Sequence, residues 1–507
     1  MAWPIEPPWI YDSEVKGAAG YTLSALDVDG RLAVPLHRQL YERVRKAILD
    51  RQLRGGMRLP STRILADELG ISRNTVLTAF DQLIAEGYLE GKVGSGTFVA
   101  RAIPDELLSL RNRASARVSP SRQPRLSRRA APLSSLTATA GRQRAFEPGI
   151  PAVDLFPARV WARLLAKQWS RSGPALYDSL AYGDPAGLMR LRESVARYVG
   201  AARGVTCEAA QVIITSGLQH GLEIAARVLL DPGDSVWFED PGYPAARATL
   251  FAAGGRIHLV PIDDQGIDVA YGARRHPSPR LIYVTPSHQF PLGVTMSAAR
   301  RLELLEVARR ADAWLLEDDY DSEYRHSTHP IPSIQGLDTN ERVIYLGTFS
   351  KVLFPALRLG YVIVPPALVD PFVRARILAG RTSPTIDQAV VTDFIEEGFF
   401  DRHIRRMRSA YRERQEALLD AGRKFLDGMV TIRPSQAGMH VLGWLENIND
   451  KVASRAAADM NIEAAPLSAF CVEAQLKNAL LLGYGSVTPR QIRAGAETLA
   501  RALSGIA

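Results

Sequence analysis

Hydrophobic residues follow different periods in two parts of the chain. Between residues 34 and 101, Leu40, Val44 and Ile48 recur at helical spacing, and two further helical patterns precede a pair of short extended runs. From Phe146 onward, short apolar runs alternate with helical patterns. This alternation is typical of an α/β domain with a mostly parallel sheet. The pattern therefore predicts two folded domains of different class.

Capping residues set the limits of the N-terminal helices. Pro60-Ser61 precedes the second helix, Gly70 ends it, and Ser72 is placed to cap a third helix. The apolar face of the third helix comprises Val76, Leu77, Phe80, Leu83 and Ile84. Residues 91–96 are predicted to form the tip of a hairpin. Three helices with a tight turn followed by a hairpin predict a winged helix-turn-helix, and the alternative is a three-helix protein-interaction module.

Small polar and basic side chains cluster where such a domain contacts DNA. Ser72, Arg73, Asn74 and Thr75 begin the third helix, and Lys92 lies in the wing. The runs LPSTRILADELGISRNTV and GSGTFV make this region resemble the GntR family of bacterial regulators. The resemblance implies binding to a double-stranded DNA operator. The contacts it implies come from Arg58, Arg63, Arg73, Thr75 and Gly96.

Two segments show no sustained apolar period. Residues 1–33 are predicted to be an N-terminal arm. Residues 102–145 are rich in Arg, Ser, Ala and Pro and nearly free of acids, which predicts a basic flexible linker. The linker carries much of the net charge of +8, so it either adds salt-dependent affinity for DNA or is a solvated spacer. The domain that follows is predicted to span residues 146–507.

Composition excludes several classes of protein. Cys207 and Cys471 match no metal or redox spacing, which predicts a reducing compartment without a structural disulfide, and we expect no metal. No apolar run approaches the ~20 residues that a bilayer span needs. The N-terminus lacks the basic end and apolar core of a signal peptide. The sequence therefore predicts a cytoplasmic protein without membrane contact.

A lysine with unusual neighbours stands out in the C-terminal domain. In YLGTFSKVLFPALRLGY, an apolar strand leads into Thr348, Ser350 and Lys351, and Arg358 follows. Burial disfavours an ammonium group and leaves an amine that can form a Schiff base with an aldehyde. The hydroxyls and Arg358 are suited to hold a phosphate. The alternative for Lys351 alone is a surface lysine after a strand.

Three further motifs follow predicted strands, at the edge where α/β sheets bind ligands. Residues 215–219, TSGLQ, join a strand to a helix whose N-terminus suits a phosphate. Residues 240–244, DPGYP, form a turn that presents Tyr243. Residues 317–321, EDDYD, cluster carboxylates that suit a pyridinium nitrogen, a metal site or plain solvation.

In this order, the motifs resemble the fold type I aminotransferases that use pyridoxal 5′-phosphate (PLP), and in particular the MocR subgroup of GntR regulators. The resemblance implies a large mixed, mostly parallel sheet with a smaller α+β subdomain, and a homodimer. It also implies an aldimine at Lys351, pairing of Asp318 with the pyridine nitrogen, Tyr320 near the phenolic oxygen and Tyr243 stacked on the ring. The implied phosphate ligands are Gly217, Leu218, Gln219, Thr348, Ser350 and Arg358, with Tyr182 reaching the phosphate of the other subunit.

The sequence also departs from the aminotransferases. Phe290 stands where they usually have an asparagine, and the strand in ALLLGYGSV lacks their carboxylate-binding arginine. His440 and Arg325 are candidate substitutes. We therefore expect a transcriptional regulator that senses PLP, or an amine or amino acid, through aldimine formation at Lys351. The alternatives are an active aminotransferase with an accessory DNA-binding domain and a DNA-binding protein whose large domain only dimerises.

Overall fold

A computed structural model describes residues 28–92, 94–102, 127, 144–325 and 332–506. The chain divides into two compact units, Met1–Arg125 and Leu126–Ala507. The predicted arm up to residue 27 and nearly all of the predicted linker lie outside the described residues. Among the helices of the described residues, none combines the length and apolar character that crossing a bilayer requires.

The first unit has three helices and a hairpin, as predicted. Its elements are α1 (Leu36–Leu49), α2 (Thr62–Leu69), α3 (Arg73–Ala85), β1 (Leu89–Lys92) and β2 (Gly96–Val99). Ser61 and Ser72 accept hydrogen bonds from the N–H groups of Ile64 and Thr75, so both predicted N-caps are confirmed. Gly70 ends α2 in the left-handed conformation. The prediction that Ile84 belongs to the apolar face of the third helix is wrong, because this residue is 39% exposed.

The folded part of this unit begins before the predicted boundary at residue 34. The side chain of Gln39 accepts a hydrogen bond from the Asp29 N–H and donates to the carbonyls of Asp29 and Val34. Val28 packs against the same apolar core as Leu40. The end of the predicted arm is therefore attached to the helical unit through polar contacts, which a search for apolar periodicity does not detect.

The second unit is built around an eight-stranded mixed sheet. The strands are β3 (Val212–Thr215), β4 (Ser235–Asp240), β5 (Arg256–Asp263), β6 (Gly266–Ile267), β7 (Leu281–Val284), β8 (Trp314–Asp319), β9 (Val343–Thr348) and β10 (Gly360–Ile363). Their order is β3-β10-β9-β8-β7-β4-β5-β6, with β5, β4, β7, β8 and β9 parallel and β10 antiparallel to both neighbours. The mostly parallel sheet predicted from the alternation of apolar runs and helical patterns is therefore confirmed.

Helices surround that sheet and lead into a smaller layer. They are α4 (Ala158–Trp169), α5 (Pro174–Leu180), α6 (Met189–Arg203), α7 (Leu218–Leu229), α8 (Pro244–Ala252), α9 (Val269–Arg275), α10 (Ala298–Ala311), α11 (Val369–Gly380) and α12 (Thr385–Glu396). The smaller layer has β11 (Val430–Ile432), β12 (His440–Leu445), β13 (Ala465–Pro466) and β14 (Ala479–Gly483), in the antiparallel order β11-β12-β14-β13. Its helices are α13 (Phe399–Phe425), α14 (Asp450–Asp459) and α15 (Pro489–Ser504).

The strand register brings distant motifs to one edge of the large sheet. Gly360 at the start of β10 pairs with Thr215 on one side and Thr348 on the other. Any side chain at Gly360 would collide with the backbone, since a Cβ there would lie 2.8 Å from the Gly347 carbonyl oxygen. The loops after β3 and β9 and the loop before β10 therefore meet at this edge. Arg358 lies in the last of these loops.

Candidate cofactor and effector site

A cavity of about 310 Å³ lies where these loops meet. Nine of the predicted cofactor residues line it: Leu218, Gln219, Tyr243, Asp318, Tyr320, Thr348, Ser350, Lys351 and Arg358. Gly217 lies beside Leu218 and Arg358, while Tyr182 is not among the lining residues. Residues from the loops of four different strands thus converge on one cavity.

Lys351 follows β9 and extends toward the segment before α4. Its Nζ donates a hydrogen bond to the carbonyl oxygen of Gly149 at 2.6 Å. Burial lowers the pKa of Lys351 below its usual value, although Asp321 and Asp318 favour the charged form. The lysine is therefore easier to deprotonate than an exposed lysine, as a nucleophilic amine requires.

Asp318, near the end of β8, has one paired and one unpaired carboxylate oxygen. Tyr283 donates a hydrogen bond to its Oδ2 at 2.5 Å, whereas the buried Oδ1 has no partner among the described residues. Burial raises the pKa of Asp318 to about 7. A buried, unpaired acceptor is unfavourable by itself, and a protonated ring nitrogen would satisfy it.

The loops after β3 and β9 form the polar end of the cavity. Gly217 precedes α7 at a φ of +90°, and no side chain caps the N–H groups of this helix. A Cβ at Gly217 would lie 3.6 Å from Cζ of Arg358. The Ser350 N–H donates to Thr348 Oγ1 at 3.1 Å. A helix N-terminus, a guanidinium and two hydroxyls together suit a phosphate group.

Aromatic side chains form the opposite end of the cavity. The ring centroid of Phe290 lies 5.7 Å from that of Tyr243 and 5.2 Å from that of Phe470. The hydroxyl of Tyr320 donates to the backbone carbonyl of His288 at 2.7 Å. Phe290 lines the cavity where the aminotransferases place an asparagine, so its side chain contributes no hydrogen bond there.

A buried cluster of His288, Asp321 and His440 adjoins the aromatic end. His288 Nδ1 lies 3.0 Å from Asp321 Oδ2, and the centroids of the two imidazole rings are 4.7 Å apart. Nε2 of both histidines has no partner among the described residues. Of the two candidate substitutes for the missing arginine, His440 lines the cavity, whereas Arg325 does not.

The predicted DNA-binding residues lie on the outside of the first unit. Arg58, Arg63, Ser72, Arg73, Asn74, Lys92 and Gly96 are exposed and Thr75 is half-buried. Arg73 Nε donates a hydrogen bond to Thr62 Oγ1 at 3.4 Å. Arg58 Nε would lie 3.1 Å from a Cβ at Gly96, where φ is +106°. The start of α3 and the wing are therefore both accessible to a partner, with Arg58 beside the wing.

Comparisons with known proteins match both units. The model for bacterial regulatory proteins of the gntR family matches residues 36–99, and the model for aminotransferase class I and II matches residues 176–499. The probable rhizopine catabolism regulatory protein MocR of Rhizobium meliloti is 42% identical over 475 residues, which cover 94% of this chain and 95% of that protein. The chain belongs to the MocR subgroup of GntR-family regulators. This MocR-type chain is thus a GntR-type regulator fused to an aminotransferase domain.

Two other similar proteins are a regulator and an aminotransferase. The pyridoxine biosynthesis transcriptional regulator PdxR of Corynebacterium glutamicum is 32% identical, covering 88% of this chain and 91% of that protein. Among solved structures, a kynurenine aminotransferase of Pyrococcus horikoshii in complex with PMP has a TM-score of 0.67 and 28% identity. The match covers 78% of this chain and 99% of the aminotransferase chain.

Tyr182, a predicted phosphate ligand, does not line the cavity of the MocR-type chain. Its side chain is 77% exposed, and the guanidinium of Arg381 lies 4.3 Å from its ring centroid. This exposure is compatible with the predicted contact to the other subunit. That contact remains a prediction, because it requires a second chain.

The cavity of the MocR-type chain also contains residues that the sequence did not identify. They include Gly149, Tyr283, Met439 and Phe470. The loop that carries Phe470 is held by Asp240. The carboxylate of Asp240 accepts hydrogen bonds from the backbone N–H groups of residues 472–474, which follow Phe470 in the chain. Gly149 and Phe470 lie far from the strand-end motifs in sequence, so local motifs could not indicate them. A tyrosine in the buried run LIYV was a weak signal for Tyr283.

Proposed function

We propose that the chain is a homodimeric transcriptional regulator that binds an operator through its winged helix and PLP through Lys351. It responds to PLP itself, or to an amine or amino acid that replaces Lys351 at the cofactor. The observation that carries the proposal is the pairing, in one cavity, of a half-buried lysine with lowered pKa and a buried aspartate with an unpaired oxygen.

The residues present fit PLP. Asp318 Oδ1 is suited to pair with the ring nitrogen, and the Gly217 loop with Arg358 is suited to hold the phosphate. PLP supplies an aldehyde that condenses reversibly with a primary amine, releasing water. Lys351 supplies that amine within the chain. Tyr243 and Phe290 provide apolar surface for an aromatic ring.

Regulation requires that the ligand favour one arrangement of the chain over another. A ligand with equal affinity for the DNA-binding and non-binding states shifts nothing, however tightly it binds. Covalent attachment at Lys351 is suited to such a preference, because it changes the hydrogen bonds that Nζ makes within the second unit.

An active aminotransferase is the second candidate function. The lysine and aspartate support it, but Phe290 removes an amide from the cavity and β14 is apolar where a carboxylate-binding arginine would lie. The regulator is therefore favoured. Repeated interconversion of amino and oxo acids by the purified protein would reverse that preference.

The test uses the full-length protein with Lys351→Ala and, as a matched control, Lys451→Ala on the exposed face of α14. Each protein is mixed with PLP, reduced with borohydride and analysed by peptide mass. We expect PLP on the Lys351 peptide of the wild type and of the control, and none in Lys351→Ala. Binding of DNA from upstream of the protein's own gene should persist in all three. Trapping on another lysine would contradict the proposal.

A further inference from the structure

The cavity wall contains buried hydrogen-bond acceptors without partners. Among the buried side-chain atoms of the described residues that line it, four have no partner: Asp318 Oδ1, Asp321 Oδ1, Gln219 Oε1 and His440 Nε2. The Gln219 amide is oriented by donation from its nitrogen to Ala245 and Thr249, which leaves its oxygen as the unpaired atom. With His440 neutral, all four atoms are acceptors. These atoms favour a ligand that brings donors, beyond the one that pairs with Asp318.

His440 is held in the tautomer that accepts at Nε2. It donates a hydrogen bond to the backbone carbonyl of Pro291, and because Nε2 has no partner, the donor is Nδ1. Burial lowers the pKa of His440 well below its ordinary value, and the neighbouring His288 acts in the same direction. The imidazole is therefore neutral and offers a lone pair rather than a positive charge.

The cationic side chains of the described wall are Lys351 and Arg358. Burial lowers the pKa of Lys351, which favours the neutral amine once the effector has replaced it, and Arg358 lies at the phosphate end beside Gly217. The carboxylates of Asp318 and Asp321 face the same cavity. The neighbouring strand β14 presents Leu480, Leu481 and Leu482, all fully buried. A carboxylate on the effector would find acceptors and negative charge, and among the described residues that line this cavity the only guanidinium is that of Arg358, at the phosphate end.

The rest of the wall at this end is apolar. Phe290, Met439 and Phe470 line the cavity beside His440, and the ring of Phe290 lies 5.8 Å from the imidazole. These side chains suit short methylene groups. The wall therefore combines an apolar surface with a neutral acceptor, which matches an alkyl chain that ends in a hydroxyl group.

We infer that the effector is a primary amine that carries a hydroxyl group and no carboxylate, and that its hydroxyl donates to His440 Nε2. This inference rests on the proposed function, because the amine acts by taking the place of Lys351 at the aldehyde carbon. One carbon–nitrogen linkage forms there and another breaks, while two hydrogens pass from the incoming nitrogen to Nζ. The exchange requires no oxidant or reductant.

The experiment compares matched amines on the full-length, PLP-loaded protein. Ethanolamine is titrated against glycine and ethylamine, and aminopropanol against β-alanine and propylamine. After borohydride reduction, the fraction of PLP trapped on Lys351 falls as the amine displaces it. We expect each amino alcohol to act at a concentration about tenfold below that of its amino acid, which is about 1.4 kcal/mol of preference. Equal or better displacement by the amino acids would overturn the inference, as would no displacement by any amine.

Two variants test the role assigned to His440. His440→Phe keeps an aromatic ring but removes the acceptor, so ethanolamine should lose its advantage over ethylamine while ethylamine itself is unaffected. His440→Gln keeps an acceptor and should retain part of the advantage. PLP trapped on Lys351 before any amine is added shows that each variant is folded. Absence of this signal in the wild type would contradict the proposed function, whereas an unchanged preference in His440→Phe would contradict only this inference.

Discussion

At the scale of single residues, Asp318 is a candidate cofactor ligand whose burial lowers the stability of the cofactor-free protein. Burial raises the pKa of its carboxyl group from the ordinary 3.8 to about 7. At pH values between these two pKa values, Asp318 has lost its proton in the unfolded chain but still holds it in the folded chain. The contribution of Asp318 to the free energy of unfolding therefore falls as the pH rises from about 4 to 7, and the folded protein becomes less stable.

Asp318→Asn should consequently stabilise the cofactor-free protein at pH values above 7 and weaken PLP binding. The amide cannot ionise, so the loss of stability between about pH 4 and 7 should become smaller. Thermal unfolding of the cofactor-free proteins at several pH values measures the first effect, and a PLP titration measures the second, with a loss of about tenfold or more expected. Asp401→Asn on the exposed start of α13 is the control. An unchanged pH dependence in Asp318→Asn would contradict the assignment.

The same scale shows which site residues can be predicted from sequence. The positions of Lys351, Asp318 and Arg358 at the cavity were predictable because each lies next to a strand end and has a side chain with distinctive chemistry. Gly149 contributes a backbone carbonyl, and Phe470 is a common apolar residue brought in by the smaller layer. Neither type of contact leaves a local signal in the sequence. The tautomer of His440 likewise depends on Pro291, which lies on a separate loop.

At the scale of secondary-structure elements, the loop between β3 and α7 depends on the backbone of Gly217. Its φ of +90° is unfavourable for any other residue. Gly217→Ala should lower the free energy of unfolding by about 1 kcal/mol and reduce PLP affinity, because relief of the unfavourable φ displaces the N–H groups at the start of α7. Gly233→Ala is the matched control, since Gly233 has a φ of +100° and no atoms within 4 Å of its Cβ position. It should lose similar stability but keep its affinity for PLP, and an equal loss of affinity would contradict the assignment.

The start of α3 is the corresponding element of the first unit. Arg73→Ala should weaken operator binding and reduce the slope of log affinity against log salt by about 1 if Arg73 contacts a phosphate. Arg412→Ala, an exposed arginine of α13, makes the same change in net charge in the second unit. Fluorescence anisotropy at several salt concentrations compares the two variants. Equal effects of both substitutions would argue against a recognition role for α3.

Elements were predicted best where two signals coincided. The helix α3 had both a capping serine and an apolar face, and β8 and β9 were apolar runs that ended in polar motifs. The strands β6, β11 and β13 are two or three residues long, so they contain no measurable period. They form only because a longer neighbour supplies hydrogen-bond partners, which is a property of the folded chain.

At the scale of the whole molecule, Tyr182 provides a test of the homodimer. If it reaches the phosphate of the other subunit, Tyr182→Phe should lower PLP affinity by about tenfold, the value of one hydrogen bond to a charged group. In mixed dimers of Tyr182→Phe with Lys351→Ala, the lysine that remains would face an intact Tyr182 of the partner. That site should therefore bind PLP with wild-type affinity. Affinity that stays low in the mixed dimer would place Tyr182 in its own subunit or remove it from the site.

The hydrogen bond from Lys351 to Gly149 makes the start of the second unit sensitive to the chemistry of one nitrogen atom. When Nζ is bonded to carbon in a cofactor linkage, it has fewer hydrogens to donate, and the Gly149 carbonyl must find another partner. A Cβ at Gly149 would lie 2.9 Å from Nζ, so the lysine amine and this stretch of backbone are in close contact. Residues 144–149 are also where the chain arrives from the N-terminal domain. If a ligand reacts at Lys351 as proposed, it therefore acts next to the backbone segment that follows the linker in sequence.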